Sequence, residues 1–178
     1  MKLSDGEKLI LMMLAEIYKH LKIKKAEFDP DFISETIVNG YLWGLKWKYH
    51  SIPFEPEDDP PDVKETANIL DMWRFLEEGY ENLSKADKAK VDAVTGQKNL
   101  KFIGFDGNHE DHFGIARYFV EDLKRWGRFK GRDLNSHTSS VDGYRRMLRV
   151  FEPMRSALGD RSPLNADEIA RIMNARRR

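Results

Sequence analysis

The chain has 178 residues and no cysteine, and its thirty basic residues balance thirty acidic ones. The length suits one domain with a substantial core. The absence of cysteine excludes disulfides, thiolate nucleophiles and finger-type zinc sites, and it indicates a reducing cytoplasm. Zero net charge disfavours a dedicated nucleic-acid binder. No apolar run approaches the roughly 20 residues that cross a bilayer, so we expect no membrane partner.

The first predicted element is a helix that begins at a capping box formed by Ser4 and Glu7. The hydroxyl and the carboxylate of such a pair each bind a free amide of the first turn. Apolar residues recur along this helix every three or four positions, and they also occupy its opposite side. A helix that is apolar all round must be covered, so we expect neighbouring helices or a second subunit to enclose it. The apolar residues of the two sides are Ile10, Met13, Leu14, Ile17 and Leu21, and Leu9, Leu11 and Met12.

A second helix is predicted to begin at Asp29–Pro30, because Asp suits the cap and Pro suits the first helical position. Its apolar face continues through Gly40 to Leu45, so one continuous helix is expected. All N-terminal helices then fall within residues 4–52. An acidic, proline-rich loop is predicted over residues 53–61.

The central helix is predicted over residues 62–83, where apolar residues recur at helical spacing for about five turns. The C-terminal helical half is predicted over residues 97–178. We expect it to contain a helix from 109 to 126 and a helix that ends at Pro153 or shortly after it. A last helix is expected after an Asn165 cap.

These elements predict an all-α fold, a multihelical bundle of about seven helices with little or no β-strand. Only Leu100–Phe105 has a β-like pattern, and a lone strand has no sheet to join. No internal repeat is visible. The sequence therefore favours a single helical domain over residues 1–178.

The most distinctive segment is Phe102–Asn108, an apolar run that ends in an Asp-Gly-Asn turn. If the next helix begins near Asn108, then His109 and His112 share a face and Asp106 could add a third metal ligand. The same residues also suit a structural role, in which Asn108 caps the helix and the histidines face solvent. We favour the structural role and expect no metal or other cofactor. If a metal ion does bind, the candidate ligands are Asp106, His109 and His112.

Arg117, about two turns into the same predicted helix, is a second candidate partner for Asp106. The two side chains could form a partly buried ion pair that fixes the turn to the helix. Alternatively, Arg117 and Asn108 could bind a small anion near the free amides of the helix N-terminus. We favour the ion pair, because it requires no ligand.

Basic residues cluster after this helix. Such a surface could bind a phosphate backbone with salt-dependent affinity, or it could meet the acidic loop of residues 53–61. No helix-turn-helix pattern accompanies it, so nucleic acid is the less favoured partner. The candidate basic patch consists of Arg125, Arg128, Lys130 and Arg132.

The segments after residue 100 carry the pattern of a known family. They are Phe102–Asp106, Gly114, Arg117–Val120, Tyr144–Phe151, Leu164–Ile169, Ile172, Asn174 and Ala175. In these segments, and more loosely in its N-terminal half, the chain resembles the YfbU family, a group of bacterial proteins without an assigned activity. The resemblance implies a helical fold and self-association, and it supplies no catalytic residues. The Asp-Gly-Asn turn and the His109 and His112 pair depart from the family pattern.

We expect the function to lie in interaction and regulation. No nucleophile elbow, Walker loop or dinucleotide-binding glycine motif is present, so the sequence does not indicate catalysis. The apolar first helix and the tryptophans Trp43 and Trp47 favour a cytoplasmic homo-oligomer, a dimer or larger. The alternative is a small metal- or anion-dependent enzyme or binding protein centred on Asp106, His109, His112 and Arg117.

Overall fold

The computed structural model describes residues 1–23, 27–96, 100–158 and 163–177. Over these residues the chain is all-α, as predicted, and its one β contact is an isolated parallel bridge between Phe105 and Asn135. None of the described helices is long and apolar enough to cross a membrane. The helices are α1 (Asp5–His20), α2 (Pro30–Val38), α3 (Gly44–Lys48), α4 (Pro61–Asn82), α5 (Lys85–Thr95), α6 (His112–Arg117), α7 (Val141–Leu158) and α8 (Ala166–Ala175).

The contacts between residues divide the chain into two compact units. The N-terminal unit is Met1–Pro60 and contains α1 to α3, and the C-terminal unit is Pro61–Arg178 and contains α4 to α8. Residues 97–99, with which the predicted C-terminal half begins, and residue 178, with which it ends, lie outside the described residues.

In the N-terminal unit, α1 packs against α2. The predicted capping box is present at the start of α1: the Ser4 hydroxyl accepts the Glu7 amide at 3.3 Å, and the Glu7 carboxylate accepts the Ser4 amide at 2.7 Å. Asp29 caps α2 as predicted. The Tyr49 hydroxyl accepts the Asp29 amide at 3.0 Å, which joins the residue after α3 to the start of α2.

The predicted second helix is two helices, so the expectation of one continuous element is wrong. α2 ends at Val38, and Gly40 has a φ of +72°. A left-handed glycine redirects the chain because the α-helix cannot continue through that conformation. The amide of Tyr41 donates instead to the carbonyl of Thr36 at 2.9 Å, and α3 begins only at Gly44.

In the C-terminal unit, α4 is central and packs against α6, α7 and α8. Trp73 on α4 is fully buried. Its ring lies 5.7 Å from that of Phe102 and 5.6 Å from that of Tyr144, centroid to centroid. These tilted and edge-on contacts are the arrangements that aromatic rings prefer. The apolar run before the Asp-Gly-Asn turn is therefore part of the core around α4.

The helix predicted over residues 109–126 begins later and ends earlier. α6 begins at His112, a π-helical segment follows over Tyr118–Asp122, and Trp126 has a φ of +44°. Trp126 also donates its indole N–H to Asp71 on α4 at 2.9 Å. The regular spacing of apolar residues therefore continues beyond the point at which the backbone leaves the helix.

Pro153 does not end its helix, because α7 continues to Leu158. A proline inside a helix removes one hydrogen bond and usually bends or ends it. Here Arg155 contacts α4 beyond the proline, since its guanidinium donates to Asp71 at 2.8 Å and to Asn68 at 3.3 Å. This side-chain contact holds the last turn of α7 in place.

Gly104 lets the extended segment before α6 lie against a later loop. Its φ is +89°, and a Cβ at this position would lie 1.8 Å from the carbonyl oxygen of Leu134. The neighbouring Phe105 makes both hydrogen bonds of the β-bridge, donating to Leu134 at 2.8 Å and accepting from Ser136 at 2.8 Å. The carbonyl of Gly104 itself accepts the hydroxyl of Tyr144 at 3.0 Å.

We expect Gly104→Ala to destabilise the C-terminal unit by about 3 kcal/mol or more, because the new methyl group would overlap backbone and the φ would be strained. Urea unfolding followed by circular dichroism measures this change. Gly127→Ala is the matched control, because nothing lies within 4 Å of a Cβ at Gly127. Equal stability of the two variants would show that the two segments do not approach as closely as described.

Candidate functional site

The carboxylate of Asp106 is bound within its own turn. It accepts the amide of Asn108 at 3.0 Å and lies 2.9 Å from Nδ1 of His109. The Asn108 amide and the His109 ring hold the pKa of Asp106 below its usual value. Because α6 begins at His112, Asn108 does not cap it, and His109 lies in the turn before the helix.

Glu110 joins this turn to the start of α7. One carboxylate oxygen accepts the amides of Ser140 at 2.7 Å and Val141 at 2.9 Å. The other accepts the amide of Asp106 at 2.7 Å and the hydroxyl of Ser140 at 2.9 Å. A carboxylate here satisfies amides that a helix N-terminus leaves free, and it also interacts favourably with the helix dipole.

His112 binds the carboxylate of Glu65 and not that of Asp106, with which the sequence grouped it. It is only 6% exposed, its ring lies 5.5 Å from that of Phe105, and its Nε2 lies 2.7 Å from the carboxylate of Glu65 on α4. Arg145 on α7 donates to both oxygens of Glu65, at 2.8 Å and 2.9 Å. Hydrogen bonds from Arg145 and His112 hold the pKa of Glu65 below its usual value, although burial opposes them. His112 therefore belongs to a different hydrogen-bond network from the pair formed by Asp106 and His109, although His109 and His112 line the same cavity.

Among the described residues, only Asp62, Glu65 and His112 form a group that could hold a metal ion. Their potential ligand atoms lie within 4.8 Å of one another. Asp62 and His112 line a cavity of about 350 Å³ together with His109, Asp142 and Arg145. A cation would have to compete with the guanidinium of Arg145 for both oxygens of Glu65. This arrangement favours an ion-pair network that joins α4, α6 and α7.

Arg117 does not form the predicted ion pair with Asp106. Its guanidinium lies over the ring of Phe113, 5.7 Å from the centroid, and its side chain is exposed. Among the described residues no ion pair joins it to Asp106. The predicted group of Asp106, His109, His112 and Arg117 is therefore not a single site.

Two members of the candidate basic patch are engaged with α4. Arg128 donates to both oxygens of Glu81, at 2.7 Å and 3.1 Å. Arg132 donates to both oxygens of Glu77, at 2.7 Å and 2.9 Å, and Glu77 is only 2% exposed. The exposed residues Arg125 and Lys130 complete the patch. These intramolecular ion pairs reduce the positive charge that a phosphate backbone would meet.

The acidic partners could not be found from the sequence, because each lies far from its base along the chain. Glu65 is 47 residues from His112 and 80 residues from Arg145, and Glu77 is 55 residues from Arg132. All of them lie on α4, whose acidic residues look like an ordinary solvent-exposed face in the sequence. One sequence signal could have indicated these partners. The apolar spacing of α4 predicts a central helix, and a central helix that also carries many carboxylates needs basic partners.

The N-terminal unit presents a different kind of surface. Only Ala15 is buried on α1, so the other helices of the N-terminal unit do not enclose α1. Enclosure by neighbouring helices was one of the two expectations for this helix. Six aliphatic side chains of α1 and its C-cap residue are between 52% and 65% exposed. We name these six residues the α1 stripe: Leu9, Ile10, Met13, Leu14, Ile17 and Leu21.

An apolar groove of about 530 Å³ runs beside the α1 stripe within the N-terminal unit. Leu14 and Ile17 belong to both the groove and the stripe, and the residues that line the groove are almost all apolar. The stripe and the groove therefore form one continuous apolar surface.

We expect Glu110→Gln to destabilise the protein by about 1–3 kcal/mol at pH 7, because its amide group would face backbone donors that then lack an acceptor. The bound amides outweigh burial and hold the pKa of Glu110 below its usual value. The carboxylate therefore stabilises the fold above its ordinary pKa of about 4.3, and this contribution is lost as the pH falls through the lower folded-state pKa. Urea unfolding at a series of pH values measures the effect, with exposed Glu152→Gln as control. A difference that grew below pH 4 would contradict the assignment.

We expect divalent cations to leave the thermal unfolding midpoint unchanged. An ion present at 100 times its dissociation constant would add about 2.7 kcal/mol of stability, which corresponds to a rise of roughly 5–10 °C for a chain of this size. Thermal unfolding with Mn²⁺ or Zn²⁺ against EDTA tests this. A rise of that size that His112→Gln abolished would show that Asp62, Glu65 and His112 hold a metal ion.

Similarity to known proteins covers nearly the whole chain. The sequence model of the YfbU domain family matches residues 1–175. A relative from Methanocaldococcus jannaschii, UPF0304 protein MJECS11, is 29% identical over 180 residues, which cover 97% of this chain and 99% of the relative. Because that organism is an archaeon, the expectation of a bacterial family is too narrow. The chain belongs to the YfbU family.

Proposed function

We propose that this protein is a cytoplasmic interaction protein that associates with a second copy of itself through the α1 stripe, and that it works by binding and not by catalysis. The observation that carries this proposal is the exposure of six aliphatic side chains on one helix. Water in contact with such a surface is unfavourable, and association removes it.

The size of the stripe supports a protein partner. Six aliphatic residues at this exposure amount to roughly 600 Å² of apolar surface, which is at the upper end of what a monomer usually presents. The neighbouring groove extends this surface toward the approximately 800 Å² that each partner contributes to a standard interface. The stripe is therefore large enough for a specific interface between two copies.

The tryptophans contribute to the unit's interior and less to this surface than the sequence suggested. Trp43 is buried. Trp47 packs edge-on against Trp43, with ring centroids 6.3 Å apart, and donates its indole N–H to Asp59 at 3.0 Å. The self-association proposal therefore rests on α1.

The alternative of an enzyme centred on Asp106, His109, His112 and Arg117 has less support. These side chains hold turns and helices together in two separate networks, and Arg117 lies apart from both. A catalytic group must have an atom available to a substrate, whereas His112 is only 6% exposed and its Nε2 is bound to Glu65.

We expect Met13→Glu to convert the wild-type dimer to a monomer, weakening association by about 100-fold or more, because two like charges would be buried near each other. Size-exclusion chromatography with light scattering at micromolar concentration measures the mass. Val38→Glu is the matched control, since Val38 is an equally apolar, 74% exposed residue of the same unit outside α1. A wild-type protein of monomer mass would overturn the proposal.

A further inference from the structure

We propose that α1 pairs with α1 of the second copy in antiparallel orientation, about a two-fold axis that passes near Met13. This inference rests on the proposed self-association and adds to it the orientation and the register. Each copy supplies the apolar cover that the other copy's stripe lacks.

The first argument is the spacing of the α1 stripe. Ile10, Met13, Leu14, Ile17 and Leu21 follow one another at steps of three or four residues, so they form a single band along the helix. α1 has 16 residues, which corresponds to a length of about 24 Å. A straight, narrow apolar band of this kind packs best against another helix with the same spacing.

The second argument is the distribution of charge along α1. Its first turn carries the acidic Asp5 and Glu7, and its last turn carries the basic Lys19 and His20. In an antiparallel pair the acidic end of one copy lies beside the basic end of the other. In a parallel pair, like charges and like ends of the two helix dipoles would lie side by side.

These end charges remain available to a partner even though some have partners within the chain. Asp5 pairs with Lys8 at 3.0 Å, yet its side chain is 96% exposed. Lys19 pairs with Asp31, and its side chain is 43% exposed. Exposed pairs of this kind contribute little stability and exchange partners readily, so they permit rearrangement across an interface.

The third argument is closure. A two-fold axis makes the interface self-complementary and limits the assembly to two copies, whereas a head-to-tail contact would continue into a filament. Met13 lies at the middle of Asp5–His20, so an axis near Met13 aligns the whole length of the two helices.

Cysteine cross-linking tests the orientation, because the chain contains no cysteine of its own. Met13 and Leu21 are equally exposed, at 63% each, so Met13→Cys and Leu21→Cys should react equally well with a short bismaleimide. About an axis at Met13, the two copies of residue 13 meet. The two copies of residue 21 lie about 24 Å apart along the helices, at 1.5 Å per residue.

We expect Met13→Cys to form cross-linked dimers at least ten times faster than Leu21→Cys. A mixture of Leu21→Cys with a size-tagged Gly6→Cys variant should then form cross-linked heterodimers, because the axis brings residue 6 of one copy to within about 1.5 Å, along the helices, of residue 21 of the other. Gly6 is a suitable partner position, since nothing lies within 4 Å of a Cβ there.

The outcomes separate this inference from the proposed function. Rapid self-cross-linking of Leu21→Cys would show a parallel pair and overturn the antiparallel arrangement, while self-association would stand. A dimer by light scattering without any of these cross-links would overturn the α1 interface. A monomer by light scattering would overturn both the arrangement and the self-association on which it rests.

Discussion

The C-terminal unit depends on one carboxylate. Glu110 binds the amides of Asp106, Ser140 and Val141, and so fixes the turn before α6 to the N-terminus of α7. Without it, two sets of backbone amides would be left without acceptors in a partly buried place. The close approach at Gly104 and the packing of Phe102 against Trp73 lie in the segment that leads directly into this connection. The turn that looks most like a functional site in the sequence therefore has a structural role, because it connects the segment before α6 to α7.

Acidic side chains of α4 are likewise occupied by contacts within the C-terminal unit. Glu65 and Glu77 on α4 each bind an arginine with both oxygens, and Glu65 also binds His112. Such pairs are costly to break once buried, because a lone charge would remain. Groups that are committed to the fold in this way are poor general acids, bases or ligands. On the proposed self-association, the surface used for function is the apolar one on α1.

The helical class and most helix starts could be predicted, because caps and apolar spacing are local properties of the sequence. Ser4, Asp29 and Asn165 each cap the helix that their side chains predict. The helix ends were harder. Gly40 breaks a continuous apolar face, and Arg155 carries α7 past Pro153 by a contact with a helix more than 80 residues away. Such effects come from tertiary contacts, which spacing alone does not encode.

The candidate site was predicted less well, for the same reason. The sequence places His109 and His112 three residues apart, and a helical reading puts them on one face. The structure starts the helix at the second of them, because Glu110 holds the first turn in a non-helical connection to α7. The exposed face of α1, by contrast, was visible in the sequence as an excess of apolar residues. The sequence could not decide whether neighbouring helices of the same chain or a second subunit would cover this face.

The size of the N-terminal unit gives a physical reason for that cover to come from a second copy. A unit of 60 residues buries only about 60% of the surface that its unfolded chain exposes, and is correspondingly marginal. This unit also leaves the most apolar face of its longest helix in water. On the proposed association, the partner supplies the missing apolar contacts, so folding of the unit and binding of the second copy are linked. Linked equilibria make stability depend on protein concentration. The N-terminal unit would then respond to the abundance of the protein.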